Sequence, residues 1–562
     1  MTKGTATSVW KSLWSSHAQT KKLLTFSQIR QAGKAAETKK HQADSAVGSG
    51  PGGPGGPGGK SGDDEEKPAY TRAQFIGLLL GPLLFIFTLL FFNPEGLNPE
   101  AKAVLASTLW IATWWITEAI PIPATSLLPI ILLPITGALD GDTVFSAYGD
   151  NIIFLFLGGF FIATAMEKWN LHKRIALNII SIIGTSTRKI ILGFMIASGF
   201  LSMWVSNTAA VMMMIPIGLA ITYQVSEAVK GGKHEADVPK FEKAIIFGIG
   251  YSGTIGGLGT LIGTPPNSIL AGTVDSLYGV QISFAGWMAF AVPLVAILLV
   301  SAWLYLTRIV YPINMQQLPG GRELIQREKT VLGNISFEEK AVLSVFLFAA
   351  FMWITRTFIW EDIVGVPGIG DGMIAMTATV LLFMIPAKKK EATKLLEWKD
   401  SREIPWGILL LFGGGLAIAA GFSETELSNW IGEQLTVLEG MNFILIVLVA
   451  TALVLFLTEI TSNTATGTMI LPVVASLALA LNVHPYALMV PCAMAANCAF
   501  MLPVGTPPNA IIFGTGKLKI IQMVQNGFWL NILAIIIIVL SVTFYLPAIW
   551  DIDLQSIPSQ FR

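Results

Sequence analysis

From Gln74 onward the chain alternates long apolar stretches with short polar links. A helix needs ~20 residues to cross about 30 Å of hydrocarbon. On that measure the pattern predicts crossings over 74–92, 102–119, 122–138, 151–168, 285–308, 341–359, 372–386, 405–422 and 526–548. Segments 244–274 and 487–514 are as apolar but interrupted. Segments near 189–224 and 441–480 each carry a polar triplet in the middle, which reads as the tip of a hairpin entering and leaving on one side. The expected fold is an all-α polytopic membrane protein of eleven transmembrane helices plus two re-entrant helical hairpins.

The basic residues test that count. With the N-terminus cytoplasmic, the inner links hold Lys168, Lys173, Arg174, Arg188 and Lys189, and then Lys230, Lys233, Lys240 and Lys243. They also hold Arg308, Arg322, Arg327 and Lys329, the run Lys388-Lys389-Lys390 with Lys394 and Lys399, and Lys517 and Lys519. The outer links 93–100, 275–281, 360–371 and 424–440 carry acids and essentially no Lys or Arg. This is the positive-inside distribution. Counting each hairpin as one crossing would turn basic links outward, so eleven crossings fit better, with the C-terminus extracellular.

Composition agrees. Only 13% of the 562 residues are charged and 53% are hydrophobic, against roughly 25% charged in a soluble domain. Lys plus Arg and Asp plus Glu balance at 36 each, which excludes a disordered or nucleic-acid-binding chain. Two cysteines exclude a disulfide framework. No His cluster, Walker sequence or nucleophile elbow supports catalysis or ATP-driven pumping, so an enzyme is not expected and no cofactor is implied.

Residues 1–72 stand apart as a cytoplasmic tail. Trp10, Leu13, Trp14 and a Leu23-Leu24-Phe26 cluster sit among Lys11, Lys21, Lys22 and Arg30. This reads either as a basic amphipathic helix on the inner membrane surface or as a soluble tail. The Gly/Pro run at 50–59 reads as a flexible linker, and no secretory signal is present.

Three signatures occur twice in the same order. Phe156-Leu157-Gly158-Gly159 returns as Leu411-Phe412-Gly413-Gly414, and Gly413 follows Gly158 by 255 residues. Ser206-Asn207-Thr208 returns as Ser462-Asn463-Thr464, 256 residues on. Gly263-Thr264-Pro265-Pro266-Asn267 returns as Gly505-Thr506-Pro507-Pro508-Asn509, 242 residues on. The spans bearing Gly158 and Gly413 are five crossings apart, an odd number, so the repeat is inverted. Inverted repeats with discontinuous helices are the architecture of secondary transporters, with the site between them near the bilayer midplane.

Two consecutive prolines cannot continue a helix, and broken backbone at membrane depth is tolerated only where it is buried in protein or lines a cavity. Freed carbonyls can ligate a cation, and the following helix N-terminus offers donors to an anion. Ser-Asn-Thr adds small uncharged ligands and a favoured N-cap. The spans hold Glu118, Glu167, Glu459 and Arg356, none of them doubled. A site built this way lacks its own positive charge. Hard oxygen ligands suit an alkali cation, so co-bound sodium is expected to neutralise an anionic substrate and couple the two bindings. The plain alternative is helix packing, which is expected for Gly253-Thr254-Ile255-Gly256-Gly257, Cys492, Cys498 and Met212–Met214. Glu459 is expected to orient its hairpin through hydrogen bonds.

The doubled Ser-Asn-Thr and Gly-Thr-Pro-Pro-Asn motifs, with Leu109–Pro121 and Ala495–Asn509, resemble the divalent-anion/sodium symporter family, in particular the sodium-coupled dicarboxylate transporters of Gram-positive bacteria. The resemblance covers about Gln74 to Pro547. It implies that Ser206, Asn207, Thr208, Ser462, Asn463 and Thr464 contact two substrate carboxylates, with Thr264, Pro265, Thr506 and Pro507 lining the pocket. It implies one sodium site from Ser202, Ser206, Asn207 and the Gly263 carbonyl, mirrored by Thr458, Ser462, Asn463 and Gly505. Ser202 and Thr458 each precede the motif serine by four residues, one helical turn, which would let both face one ion. The resemblance further implies a homodimer in a bacterial plasma membrane and an elevator mechanism. Residues 73–188 and 311–440 would form the scaffold, and 189–310 and 441–562 the moving elements. The expected substrates are C4-dicarboxylates such as succinate, fumarate and malate. A sodium-independent exchanger, or a carrier of sulfate or citrate, would share this scaffold.

Overall fold

A computed structural model describes residues 70–184, 186–315, 321–365, 368–389, 392–435 and 442–561. The tail's basic-aromatic stretch and its Gly/Pro linker lie outside the described residues, as does Lys390. The described regular structure is helical, without a β-strand.

The chain enters through α1 (Arg72–Phe91). It starts at a capping box in which Thr71 Oγ1 accepts from the Gln74 N–H and Gln74 Oε1 accepts from the Thr71 N–H, satisfying two end donors at once. Its outward side chains are apolar, with Leu83 60% and Phe91 70% exposed, a surface suited to lipid rather than water. Then come α2 (Pro99–Thr117), α3 (Ile122–Thr125), α4 (Leu128–Ile135), α5 (Gly141–Tyr148), α6 (Asn151–Lys168) and α7 (Leu171–Ile183). A hairpin of α8 (Thr187–Ser202) and α9 (Asn207–Ala228) follows, then the broken pair α10 (Val238–Gly257) and α11 (Pro265–Tyr278), then α12 (Phe284–Leu304). The middle of the chain holds α13 (Gly321–Leu332), α14 (Phe337–Thr355) and α15 (Asp371–Met384). The second half brings α16 (Trp406–Glu424), α17 (Leu427–Leu435), the hairpin α18 (Phe443–Thr458) and α19 (Asn463–Ala480), the broken pair α20 (Tyr486–Asn497) and α21 (Pro507–Gly514), α22 (Ile520–Leu540) and the short α23 (Leu546–Trp550).

Eight described helices are long and apolar enough to cross a membrane, accompanied by shorter apolar helices over 122–135, 371–384, 443–458 and 486–497. The chain is a multi-pass membrane protein. Both hairpins and both interrupted spans fall where the polar triplets and double prolines put them.

Some expected elements differ. The span 122–138 is two short helices, because Pro129 cannot bond back to the Thr125 carbonyl and the helix restarts after Ser126 and Leu127. Residues 122–135 and α15 each comprise 14 residues, about 21 Å of helix, short of the hydrocarbon thickness. Three links expected as loops contain α7, α13 and α17. In α7 the residues Leu171, Ala176, Leu177 and Ile180 are buried on one side while Arg174 pairs with Glu339 at 2.7 Å. Such helices are too polar on the other side to be taken as crossings, and they pack against their neighbours through the apolar side.

The repeat is visible in the helices themselves. First hairpin arms α8 and α18 are each 16 residues and lie 256 positions apart. Helices α12 and α22 are each 21 residues, and each runs on into a π-helical turn, Tyr305–Val310 and Ser541–Tyr545. Phe156 and Phe412, one from each copy of the doubled segment, touch edge to face at 4.8 Å. Matching segments can meet only near the pseudo-two-fold axis, so the axis runs between α6 and α16. Across it, α11 packs on α19 and α9 on α21, each pairing one half with the other.

Candidate functional site

The four half-helices α9, α11, α19 and α21 begin at the doubled motifs. Ser206 and Ser462 are the N-caps of α9 and α19, and their hydroxyl oxygens accept from the Ala209 and Ala465 N–H groups at 3.2 and 3.5 Å. Asn207 and Asn463 are therefore the first helical residues, at the positive ends of the two helices. Thr208 and Thr464 follow, half-buried.

Ser202 and Thr458 stand where each hairpin's first arm stops. The four-residue spacing predicts one helical turn between each of them and its motif serine. Helix α8 instead ends at Ser202 and α18 at Thr458, a turn intervenes, and the neighbour reached is the asparagine. The Ser202 hydroxyl lies against Asn207 Oδ1 and, at 2.5 Å, the Gly253 carbonyl. The Thr458 hydroxyl lies 2.7 Å from both Asn463 Oδ1 and the Ala496 carbonyl. Each cluster holds three oxygens and one hydroxyl proton, which can serve only one of its two acceptors. An alkali cation among these oxygens would satisfy what the single proton leaves over, so both donor sets fit sodium.

The broken stretches add carbonyls selectively. Thr264 and Thr506 are extended N-caps, and Pro265 and Pro507 open α11 and α21, where a missing N–H costs nothing. The freed carbonyls are mostly taken: Asn267 Nδ2 donates to Gly257, Leu258 and Thr260, and Ser268 Oγ to Leu261. Asn509 Nδ2 repeats this on Ala499 and Leu502. No described hydrogen bond ends on the carbonyls of Gly263 or Gly505, the two carbonyls proposed to face the ions. Thr264 and Thr506 are 2% and 4% exposed, whereas Pro507 is exposed and Pro265 half-buried.

Asn497 is a contributor that doubling alone could not reveal, because its equivalent in the first half is Thr254. It is fully buried; its side chain accepts from Thr264 Oγ1 at 2.6 Å and donates to the Thr254 carbonyl at 2.9 Å. An asparagine inside an apolar run was the available signal.

Glu459 does orient this region, but its target is the second broken stretch. Its carboxylate accepts from the N–H groups of Phe500, Met501 and Leu502 at 2.7, 2.9 and 3.1 Å and from Asn531 Nδ2 at 2.7 Å. Every other described polar partner of the doubled motifs is a hydroxyl, amide or carbonyl. Arg356 is elsewhere, buried between Glu361 and Asp371 beside a polar cleft lined by Asp150, Asn151, Asp275 and Gln281. Cys492 and Cys498 are buried and unpaired.

Within the glycine run, packing governs Gly256: a Cβ there would stand 2.1 Å from the Gly199 carbonyl oxygen. Gly257 lies against the candidate site, since a Cβ there would stand 2.6 Å from Asn207 Oδ1 and 3.1 Å from the Gly263 carbonyl oxygen. The equivalent residue in the second half is Ala499, whose methyl is accommodated. Gly257→Ala is expected to displace the Asn207 amide and lower sodium affinity about tenfold, roughly 1.4 kcal/mol, with little change in melting temperature. A sodium titration of substrate binding reads it, and an unshifted midpoint would refute the contact's role.

The sequence profile described as "Sodium:sulfate symporter transmembrane region" matches residues 72–551. A sodium-dependent dicarboxylate transporter, SdcS, of Staphylococcus saprophyticus is 58% identical over 496 residues, 88% of this chain and 96% of that protein. The SdcS of Staphylococcus aureus is 55% identical over 492 residues, 87% of this chain and 95% of that protein. Among solved structures, MtrF of Neisseria gonorrhoeae has a TM-score of 0.50 at 11% identity, covering 84% of this chain and 95% of that one. YdaH of Alcanivorax borkumensis also reaches 0.50 at 11% identity, covering 85% and 98%. At that identity the two share the fold and carry no statement about substrate. A profile running through both repeats, and relatives more than half identical over nearly their whole length, place the doubled motifs in a known setting: the chain belongs to the sodium:sulfate symporter family, the divalent-anion/sodium symporters, which are membrane transporters and not enzymes.

Proposed function

We propose that this chain is a sodium-coupled symporter that imports C4-dicarboxylates such as succinate, fumarate and malate across the bacterial plasma membrane. The observation that carries this reading is the pair of equivalent oxygen clusters, Ser202–Asn207–Gly253 and Thr458–Asn463–Ala496, at helix N-termini where no described Lys or Arg makes a hydrogen bond. A helix N-terminus gives an anion about 0.3–1 kcal/mol, up to ~2 in partly buried geometry. A sodium ion ~4 Å from a carboxylate gives about 4 kcal/mol at an effective dielectric of ~20. Sodium therefore decides whether a dianion binds, and the substrate in turn holds the ions. The names of the Staphylococcus relatives support the same ion and substrate class.

In this reading the inverted repeat underlies the transport cycle. The chain makes eleven crossings with the N-terminus in the cytoplasm and the C-terminus outside, hairpin α8–α9 entering from the cytoplasm and α18–α19 from outside. Residues 73–188 and 311–440 act as scaffold in a homodimer, while 189–310 and 441–562 carry substrate and ions across as an elevator. Ser206, Asn207 and Thr208 hold one carboxylate, and Ser462, Asn463 and Thr464 the other. Thr264, Pro265, Thr506 and Pro507 line the pocket, and the carbonyls of Gly263 and Gly505 complete the two sodium sites.

Purified protein in proteoliposomes is expected to accumulate radiolabelled succinate only under an inward sodium gradient. Uptake that persists without sodium would favour an exchanger. The family profile is named for sulfate, so competition by sulfate and citrate must also be measured. Sulfate displacing succinate at equal concentration would move the substrate class.

A further inference from the structure

Asn497 sits where the two halves of the site meet. Its amide orientation is fixed by donation from Nδ2 to the Thr254 carbonyl, so Oδ1 is the acceptor and the Thr264 hydroxyl must donate to it. The consequence shows at the helix starts. Thr506 Oγ1 accepts from the Asn509 N–H and caps α21, whereas the Thr264 hydroxyl is turned to Asn497 and makes no side-chain cap for α11. The main chain of the same residue faces the other way. The Asn497 carbonyl accepts from Asn463 Nδ2 at 3.4 Å, and the preceding carbonyl, Ala496, accepts from Thr458. One residue thus touches a ligand of the proposed second ion site through its backbone and a pocket threonine of the first half through its side chain. Thr254 is the matching position of the first half, since Gly253 and Ala496 both receive the cluster hydroxyls. The contact between Thr254 and Asn497 therefore marks the pseudo-two-fold axis a second time.

On the basis of the sodium-coupled reading above, we infer that Asn497 is a positioning residue that transmits occupation of the second ion site to Thr264 in the first half of the pocket. A cation drawn to Thr458 and Asn463 pulls on the carbonyls at 496 and 497. That fixes the Asn497 side chain and, through it, the Thr264 hydroxyl and the start of α11. Without the amide both ion sites keep their ligands but no longer report to each other.

The test is succinate binding to the full-length protein in nanodiscs across a sodium titration. Coupling between two sites is typically worth 5–150-fold in affinity. Asn497→Ala is expected to bind succinate at saturating sodium, while the sodium-driven tightening shrinks at least about fivefold and the sodium curve becomes less cooperative. Unchanged tightening and cooperativity, with only fewer competent molecules, would make Asn497 a structural residue and overturn the inference. If Asn497→Ala does not fold, Asn497→Leu fills the same volume without the amide, and its tightening factor decides by the same criterion. A flat sodium response in the unmodified chain would instead overturn the functional reading itself, before any variant is made.

Discussion

Alanine at Asn207 or Asn463 is expected to abolish sodium-driven dicarboxylate uptake, at least about a 100-fold loss, while leaving a folded protein. Each asparagine stands at the first turn of its helix with Oδ1 in the oxygen cluster; Asn207 Nδ2 has no acceptor among the described hydrogen bonds, and Asn463 Nδ2 keeps one N–H beyond the one it gives to the Asn497 carbonyl. On the proposed reading, removing either asparagine takes away one ion ligand and one substrate donor together. Hydrogen bonds to charged groups contribute about 1.5–3 kcal/mol each, so losing two costs about 3 kcal/mol or more, and 1.4 kcal/mol is a factor of ten. The N-cap serines keep the helix starts intact, so the melting temperature without sodium should change little. Sodium should raise the melting temperature of the unmodified chain and not that of either variant. Normal uptake by either variant would remove the doubled motifs from the site.

Glu459→Ala is the substitution expected to cost most in stability. The carboxylate is the common acceptor for three consecutive backbone N–H groups, 500 to 502, and for the Asn531 amide. Each buried donor left without a partner costs about 1–3 kcal/mol, and a domain's whole margin is about 5–15 kcal/mol. Four stranded donors approach that margin, so Glu459→Ala should accumulate poorly and melt early. Glu459→Gln keeps an acceptor for Phe500, Met501 and Asn531 and sets an NH2 group against only the Leu502 N–H. It should fold with an intermediate loss. Equal melting temperatures for the two variants would show that the charge, and not the acceptor count, holds the stretch.

Most of the helical architecture was legible because two strong signals coincide: length in the apolar stretches, and prolines or polar triplets where they break. Gly158, Ser206 and Gly263 have visible doubles, so the repeat and the pocket candidates could be found by reading letters. What doubling cannot find is a pair whose members differ. Thr254 and Asn497 occupy matching positions with unlike side chains, only the second of which bonds across the repeat, and Gly257 corresponds to Ala499. Helices α7, α13 and α17 were lost for another reason. Their apolar faces are one-sided and short, and each sits in a link that reads as polar beside the long apolar stretches. Ser202 does lie against Asn207, but the spacing argument that linked it to Ser206 assumed an unbroken helix where the chain turns.

The bonds that join the halves also set a clock for biosynthesis. Thr264 and Asn497 are 233 residues apart in sequence, and Asn497 and Thr254 are 243 apart. At ~5–20 residues per second of synthesis, the first half waits roughly ten to fifty seconds for its partner. During that interval the Thr264 hydroxyl and the Thr254 carbonyl lack their final partner at membrane depth. The nascent first repeat is therefore an incomplete client, dependent on lipid, water or the insertion machinery until residue 497 arrives.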